Sequence, residues 1–412
     1  MRPISTLERF GEASMCRCAS RGLWVLAFLA LSLTRAPVAV GAATLTLGEI
    51  NPLTGPFAAQ GTAVHRGIQL AVEQAAGAGA PGVSLITRDD EGKPERAVAA
   101  AEELTTRQRV AALVGGYVDT LVGPISEVAE RRRVPYLATA SLDERLTQRG
   151  YRYFFRISHL QGYVESMVGV VLDLFRPQRV AILYSGTPGA SQLALRQRER
   201  LQQAGVRVPV FEMFASGIAD FTPLLVRVRD AGTEVLIADA FFADHLVMVR
   251  QLHGLAVNVK AFLGAFGMEF PEVTRALGPA SEFLFGTTGW EPGIAEPGAE
   301  AASRIFVEGY RARFGGEPPP LAMHGYVAAR AILTAAGSAD HRAGIVGPEP
   351  IRRGLLSLDL PTPLERLQFD EHGEAKHYRR LIVQIQGGAR VVVYPPDRAT
   401  GKARYPMPAW KE

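Results

Sequence analysis

The chain has 412 residues, of which 47% are hydrophobic and 21% are charged. This composition is ordinary for a globular protein and excludes a largely disordered chain. The length exceeds the size at which one hydrophobic core usually keeps growing, so two domains are expected. Residues 1–43 carry five arginines and two glutamates, which account for +3 of the formal net charge of +4. The remaining +1 gives no indication of a nucleic-acid-binding surface.

The first 43 residues have the order of a secretory signal peptide. Four arginines precede an uninterrupted apolar run at 23–31, and small residues at 40–43 supply a cleavage site. The apolar run is too short for a comfortable membrane span, although an uncleaved N-terminal anchor stays open, as does Met15 as the true start. Both cysteines, Cys16 and Cys18, lie in this segment. The exported mature chain is therefore expected to have no disulfide, no thiolate nucleophile and no cysteine-bound metal.

From residue 44 onward, short apolar runs alternate with longer segments of helical period. Strands that alternate with helices of 10 to 15 residues are typical of parallel β-α-β units around a buried sheet. In the first half, the predicted strands are 44–50, 83–87, 110–115 and 135–139, and the predicted helices are 61–75, 94–108 and 123–131. In the second half, the predicted strands are 179–184, 208–214, 234–239 and 260–264, and the predicted helices are 191–204, 221–231 and 245–252.

The two halves repeat an architecture without convincing sequence identity, which predicts two doubly wound lobes. Two later helices, at 301–314 and within 315–336, precede a tail with predicted strands at 367–369, 378–386 and 389–394. This order indicates that the chain returns to the first lobe before it ends in the second. The predicted lobes are 44–160 with 290–376 and 161–289 with 377–412, joined by a multi-strand hinge.

Four stretches carry a resemblance to a known family: GEINPLTGPFAAQGTAVHRGIQLAVEQ (48–74), LITRDDEGKPERAVAAAEELTTRQRVAALVGG (85–116), ADFTPLLVRVRDAGTEVLIADAF (219–241) and FDEHGEAKHY (369–378). With shorter stretches between them, they resemble the periplasmic leucine/isoleucine/valine-binding proteins in colinear order over nearly all of 44–395. These are the substrate-binding components of ABC importers for hydrophobic amino acids and amides.

The resemblance implies an α/β fold of the type I periplasmic binding proteins, in which two doubly wound parallel-sheet lobes close on a small ligand. It also implies a periplasmic location, an inner-membrane ABC permease as partner, and a monomer that is not an enzyme and needs no cofactor or metal. A ligand-sensing receptor or regulatory module of the same fold is the alternative. An export signal, and the lack of a further domain before Glu412, favour transport.

Ligands of open α/β sheets lie beyond the carboxyl ends of the strands. Four such ends face the predicted cleft, at 117–120, 140–142, 241–242 and 266–267. The predicted ligand-binding residues are Gln60, Tyr117, Val118, Asp119, Ala140, Ser141, Leu142, Tyr163, Phe241, Phe266 and Trp290.

In the family that the chain resembles, hydroxyls and backbone N–H groups after two first-lobe strands hold the ligand's α-carboxylate. An acidic residue of the second lobe meets its ammonium group. Here Asp119 stands where the family has a serine, and Leu142 where it has a threonine. Phe266 replaces the glutamate, and Phe241 replaces a tyrosine. Two neighbouring carboxylates repel, and a buried ammonium group needs a partner, so the family's amino-acid ligands are expected to bind weakly.

The predicted site is an aromatic box with Asp119 as its single charge. It suits a solute with an apolar or aromatic body and a donor or cationic group, such as an aromatic, amide or amine-bearing compound. A hydrophobic amino acid stays within the prediction, and an aromatic acid is compatible with it if Asp119 points away. Core positions for the aromatics, a helix-capping role for Asp119 and a turn role for Ser141 are the alternatives.

Two further patterns suggest rival sites. YSGTPGAS (184–191) follows a strand and opens a helix, but it lacks the Gly-Lys-Ser/Thr ending of a phosphate loop. It is interpreted as a β-α turn that could touch a ligand across the cleft. His372, Glu374 and His377 are interpreted as parts of a hairpin turn rather than as metal ligands. The sequence contains no nucleophile elbow and no paired catalytic carboxylates at meaningful spacing, so no enzymatic activity is expected.

Overall fold

The computed structural model describes residues 45–77, 82–337 and 346–410. The predicted signal peptide lies outside these residues. In the part of the chain that the structure describes, no helix combines the length and apolarity needed to cross a membrane. The described residues form two α/β lobes, each built around its own sheet.

The first lobe is built around a five-stranded parallel sheet. Its elements, in chain order, are β1 (Leu45–Asn51), α1 (Ala58–Gly77), β2 (Val83–Asp89), α2 (Pro94–Thr106), β3 (Ala112–Tyr117), α3 (Asp119–Arg132), β4 (Tyr136–Ala140), α4 (Arg145–Gln148) and β5 (Phe154–Arg156). The strand order is β2-β1-β3-β4-β5. The order reverses between β1 and β3, and ligands of such sheets bind beyond the carboxyl ends of the strands at this point.

The second lobe follows after β5. Its elements are α5 (Leu160–Val170), β6 (Arg179–Ser185), α6 (Pro188–Gln203), β7 (Arg207–Phe214), α7 (Thr222–Asp230), β8 (Val235–Asp239), α8 (Phe242–Gly254), β9 (Ala261–Gly264), α9 (Pro271–Leu277) and β10 (Phe285–Thr288). The chain continues with α10 (Glu300–Phe314), α11 (Pro320–Gly337), α12 (Pro348–Leu356), β11 (Leu360–Pro361), β12 (Arg366–Leu367), β13 (Leu381–Gln386) and β14 (Ala389–Tyr394). The second sheet has the order β14-β13-β10-β9-β8-β6-β7.

After β10 the chain returns to the first lobe, where α11 packs directly on α1. A Cβ atom on Gly67 of α1 would lie 1.9 Å from the carbonyl oxygen of Ala322, and one on Gly325 of α11 would lie 2.1 Å from that of Val64. Only glycine permits such a close approach of two helix backbones. The last strands, β13 and β14, then pair antiparallel at one edge of the second sheet.

Four helices, α1, α3, α6 and α8, begin three or four residues earlier than the sequence predicts, and the starts of two of them matter for the site. α3 begins at Asp119 rather than at 123, and α6 begins at Pro188 rather than at 191. Apolar periodicity, on which the prediction relied, starts later than the helix when its first turn is polar. Proline at the first helical position and aspartate in the first turn both favour a helix start. As a result, the first turns of α3 and α6 carry Asp119 and Gly189.

Candidate functional site

A cavity lies where the carboxyl ends of the two sheets face each other. It contains about 350 Å³ of space not occupied by protein atoms, including the part open to solvent. The residues that line it are Tyr117, Val118, Asp119, Ala140, Ser141, Leu142, Ser158, Tyr163, Thr187, Ala190, Phe241 and Phe266.

Nine of the eleven predicted site residues line this cavity, and Gln60 and Trp290 do not. Gln60 is buried. The structure places Trp290 outside this cavity. Its indole Nε1 donates to the Ser303 hydroxyl at 3.2 Å, and its ring packs edge-on against Phe306 with centroids 5.5 Å apart. Trp290 therefore belongs to the core beside α10.

Aromatic rings from both lobes form a continuous cluster at the cavity, the aromatic wall, which consists of Phe57, Tyr117, Phe241, Phe266 and Tyr163. Phe57 does not line the cavity itself but packs on two rings that do. Phe57 and Tyr117 of the first lobe meet Phe241 of the second lobe with ring centroids 5.1 and 6.0 Å apart, respectively. Phe241 contacts Phe266 at 5.3 Å, and Phe266 contacts Tyr163 at 5.5 Å. These separations fall within the range of favourable aromatic pairs. Because two of the contacts cross between lobes, the wall is complete only when the lobes are closed.

Two charged side chains behind the aromatic wall, Arg380 and Glu269, are already engaged by other groups of the protein. The Arg380 guanidinium lies 3.9 Å from the ring centroid of Tyr163, and it donates to the Tyr378 hydroxyl at 2.6 Å and to the Thr287 carbonyl at 2.7 Å. The Glu269 carboxyl accepts from the backbone N–H of Gly267 at 2.9 Å. Burial raises the pKa of Glu269 to about 7, against the opposing influence of Arg380. Neither group lines the cavity.

Asp119 lines the cavity, but backbone groups engage both of its carboxylate oxygens. Oδ1 accepts from the N–H groups of Leu142 at 2.7 Å and Asp143 at 2.8 Å, just after β4. Oδ2 accepts from the N–H of Gly189 at 3.0 Å, in the first turn of α6 and therefore in the other lobe. Burial raises the pKa of Asp119, and the hydrogen bonds from Asp143 and Leu142 act against that rise. The geometry does not match the prediction that this carboxylate meets a ligand's donor or cation.

The turn that aims Asp119 across the cleft has an unusual backbone. Val118, at the N-cap position of α3, has a φ of 67°, which is rare for a β-branched residue. Its N–H donates to the Ala140 carbonyl at 3.0 Å and fixes the turn to the end of β4. Just before it, Gly116 has a φ of 89°, and a Cβ there would lie 2.1 Å from the Tyr136 hydroxyl. Such strain is concentrated at functional sites, where the surrounding structure holds it in place.

The Ser141 side chain places a buried polar group in the cavity that is free to bond a ligand. The Ser141 hydroxyl is buried and has no hydrogen-bond partner among the described residues. A buried polar group without a partner is costly, so a ligand atom that bonds it gains the full value of the hydrogen bond. Ser141 thus provides a buried polar contact in a largely aromatic and aliphatic lining.

Sequence reasoning missed Phe57, Ser158, Thr187 and Ala190. Thr187 and Ala190 belong to the turn YSGTPGAS, which was interpreted as able to touch a ligand across the cleft. Ser158 follows β5, whose three residues are too few for a periodicity signal. Phe57 precedes α1 in a Gly/Pro-rich stretch where no pattern distinguishes a site residue from a turn residue.

Side chains on α6 add polar contacts between the lobes. The Gln192 amide donates to the Asp143 carboxylate at 2.7 Å and accepts from the backbone N–H of Glu144 at 3.0 Å. Arg196 forms an ion pair with Glu144 at 3.3 Å. Together with the bond from Gly189 to Asp119, these contacts join one face of α6 to the segment after β4 and hold the cleft closed.

The candidate metal ligands of the hairpin turn have structural partners. Glu374 forms an ion pair with Arg156 at 2.7 Å and accepts from the Thr147 hydroxyl at 2.7 Å. His377 lies 3.2 Å from the side-chain oxygen of Gln368. Over the described ranges, no three histidine, cysteine or acidic side chains are grouped so that they could hold a metal ion.

Comparisons with known proteins agree with this geometry. A family model described as periplasmic binding protein matches residues 44–389. The leucine-, isoleucine-, valine-, threonine- and alanine-binding protein of Pseudomonas aeruginosa is 24% identical over 349 residues, which are 83% of this chain and 90% of that protein. The crystal structure of a leucine-binding protein from Thermotoga maritima has a TM-score of 0.77 at 23% identity, over 86% of this chain and 99% of that one. A solute-binding protein of an ABC transporter from R. palustris, solved with benzoate, has a TM-score of 0.74 at 16% identity, over 85% and 96%.

Proposed function

Because this chain belongs to the periplasmic binding protein family, we propose that it captures a small uncharged solute with an aromatic or apolar body. It delivers this solute to the inner-membrane permease of an ABC importer. Family membership supports the general role of a solute-binding protein, and the residues that line the cavity support the choice of solute. The mature chain acts in the periplasm after removal of its N-terminal segment.

The observation that supports this choice is the aromatic wall combined with the unpartnered Ser141 hydroxyl. Rings from both lobes stack well against a flat or bulky apolar body, and the Ser141 hydroxyl offers one hydrogen bond to a polar atom at its edge. Asp119 is the only charged residue among those that line the cavity, and its carboxylate already accepts three backbone hydrogen bonds. An amide or another uncharged polar group fits this lining better than an ammonium or a carboxylate does.

The solved relatives support parts of this choice. The benzoate-bound protein from R. palustris has the same fold around an aromatic body, and the protein from Thermotoga maritima is a leucine-binding protein. Both of those ligands carry a carboxylate. In this chain, a carboxylate next to Asp119 would be repelled, and the N–H groups of Leu142, Asp143 and Gly189 are already bound to Asp119. The cost is several kcal/mol, on the order of that of an unpaired buried charge. Leucine, isoleucine and valine are therefore expected to bind weakly.

A thermal-shift screen of the purified mature chain tests the proposal. The panel holds uncharged aromatic and aliphatic amides, aromatic acids, aliphatic amino acids and polyamines. A ligand at about 100 times its Kd stabilises the folded state by about 2.7 kcal/mol, so a real solute raises the unfolding temperature clearly. We expect the largest shifts from the uncharged aromatic or amide compounds. Large shifts from leucine and isoleucine, with none from the aromatic amides, would refute the proposed solute class.

A further inference from the structure

We propose that the Asp119 carboxylate fills an anion-binding site made of three backbone N–H groups, and thereby excludes solutes that present a carboxylate at that end of the cavity. Asp119 is then a specificity-determining residue and the link through which this site joins the two lobes. The statement on solute class rests on the proposed function, whereas the anion site can be tested without any solute.

The donors are arranged as for a carboxylate ion. Leu142 and Asp143 present consecutive N–H groups to Oδ1 at 2.7 and 2.8 Å, and Gly189 presents its N–H to Oδ2 at 3.0 Å. Gly189 follows Pro188, which has no N–H, so it provides the first available donor of the 16-residue helix α6. Backbone N–H groups and a helix N-terminus favour an anion, and hydrogen bonds to an ionised acceptor are the stronger kind.

The site has no room for a second anion. A Cβ atom on Gly189 would lie 2.3 Å from Asp119 Oδ2 and 2.8 Å from the Leu142 Cβ, so the segments from both lobes are already in contact. The nearby Asp143 carboxylate is held by Arg145 at 2.7 Å and by the Gln192 amide. A solute carboxylate would have to displace Asp119 and lie between two acidic side chains.

A second aspartate provides a matched control. Asp89 also accepts from three backbone N–H groups, those of Leu53 at 2.9 Å, Thr54 at 3.3 Å and Glu91 at 2.8 Å. All of these donors lie in the first lobe. Removing the Asp89 carboxylate therefore costs hydrogen bonds of the same kind without breaking a link between lobes.

The test is a chemical rescue on the mature chain. Asp119→Ala leaves the three N–H groups without their acceptor, and sodium formate and sodium acetate supply a free carboxylate. Sodium chloride at equal ionic strength is the reference. We expect Asp119→Ala to unfold at a lower temperature than the wild type in chloride, and to regain much of the loss, saturably, in acetate. The wild type should respond equally to acetate and chloride.

Small-angle scattering of the same variants in the same salts measures how far the two lobes are open. In chloride, Asp119→Ala should have a larger radius of gyration than the wild type, and acetate should reduce it. Asp89→Ala should keep the wild-type radius in both salts. An Asp119→Ala variant without an acetate-specific response in either measurement overturns the inference, as does an equal change of radius in Asp89→Ala.

Asp119→Asn keeps the test decisive if the alanine variant does not fold. Its carbonyl oxygen still accepts from Leu142 and Asp143, whereas its NH₂ group faces the N–H of Gly189 and cannot accept from it. This variant should be more open than the wild type in scattering while it still unfolds cooperatively. An asparagine variant with the wild-type radius would contradict the role of Asp119 in joining the lobes.

The solute class is tested separately with benzamide and benzoate. We expect the wild type to prefer benzamide, and Asp119→Ala to shift the ratio of the two affinities at least tenfold towards benzoate. An unchanged ratio overturns the exclusion of carboxylates. If neither compound binds either protein, the proposed aromatic solute class fails, and the acetate response still decides whether the anion site exists.

Discussion

Phe241→Ala is the substitution that probes the aromatic wall most selectively. Phe241 makes both ring contacts of the aromatic wall that cross between the lobes, to Phe57 at 5.1 Å and to Tyr117 at 6.0 Å. An aromatic pair is worth about 0.5–1.5 kcal/mol beyond its buried area, so losing both pairs shifts the equilibrium towards the open lobes by about 1–3 kcal/mol. At about 1.4 kcal/mol for each factor of ten, binding that requires closure weakens by roughly 5- to 150-fold.

The assay combines calorimetric titration of the solute found by screening with scattering of the ligand-free protein. Phe214→Ala is the matched control, because Phe214 packs on Phe221 with centroids 5.0 Å apart inside the second lobe. Both variants lose stability, since truncating a buried phenylalanine costs about 3–5 kcal/mol. Only Phe241→Ala should lose affinity and increase the radius of gyration. Equal affinities and radii for the two variants would refute the role of the wall in closure.

Three further predictions concern single side chains. Ser141→Ala should leave the ligand-free protein at least as stable as the wild type, because the Ser141 hydroxyl has no protein partner. Calorimetric titration should show that the variant binds the solute several-fold more weakly, because it loses one hydrogen bond worth about 1 kcal/mol. Trp290→Phe should lower the unfolding temperature, because it loses the bond to Ser303, and leave the solute Kd unchanged. Burial raises the pKa of Asp239 from 3.8 to about 8. The folded chain therefore keeps a proton that the unfolded chain loses, and folding stability falls as pH rises between those values. Asp239→Asn should remove this fall in denaturant titrations, with a gain at pH 8 of up to about 5 kcal/mol at 1.36 kcal/mol per pKa unit.

The sequence predicts the lobes and most of the cavity because both depend on local patterns. Alternating apolar runs mark the strands, and the carboxyl ends of parallel strands must share one edge of a sheet. Tyr117, Ser141, Phe241 and Phe266 lie at or just after such strand ends, and all four line the cavity. Short elements such as β5 and helix starts with a polar first turn escape the same reasoning, because they contain too few apolar residues to form a period.

The failures concern side-chain direction. Trp290 directly follows Gly289, next to strand β10, but its indole turns towards Ser303 and Phe306 in the core. A residue's position beside a strand end does not determine which way its ring points. Asp119 lies at the predicted place, yet its partners are backbone N–H groups, one of them 70 residues away at Gly189. Nearly every residue has a backbone N–H group, so the sequence does not indicate which of these groups will bind a given side chain.

Calorimetric titration of matched amide and acid pairs tests the central claim most directly. The pairs are benzamide with benzoate and phenylacetamide with phenylacetate, with leucine as the reference for the amino acids, all against the mature wild-type chain. We expect the amide of each pair to bind at least tenfold more tightly than its acid and more tightly than leucine. Tighter binding of either acid or of leucine, or no binding by any of the aromatic compounds, would contradict it.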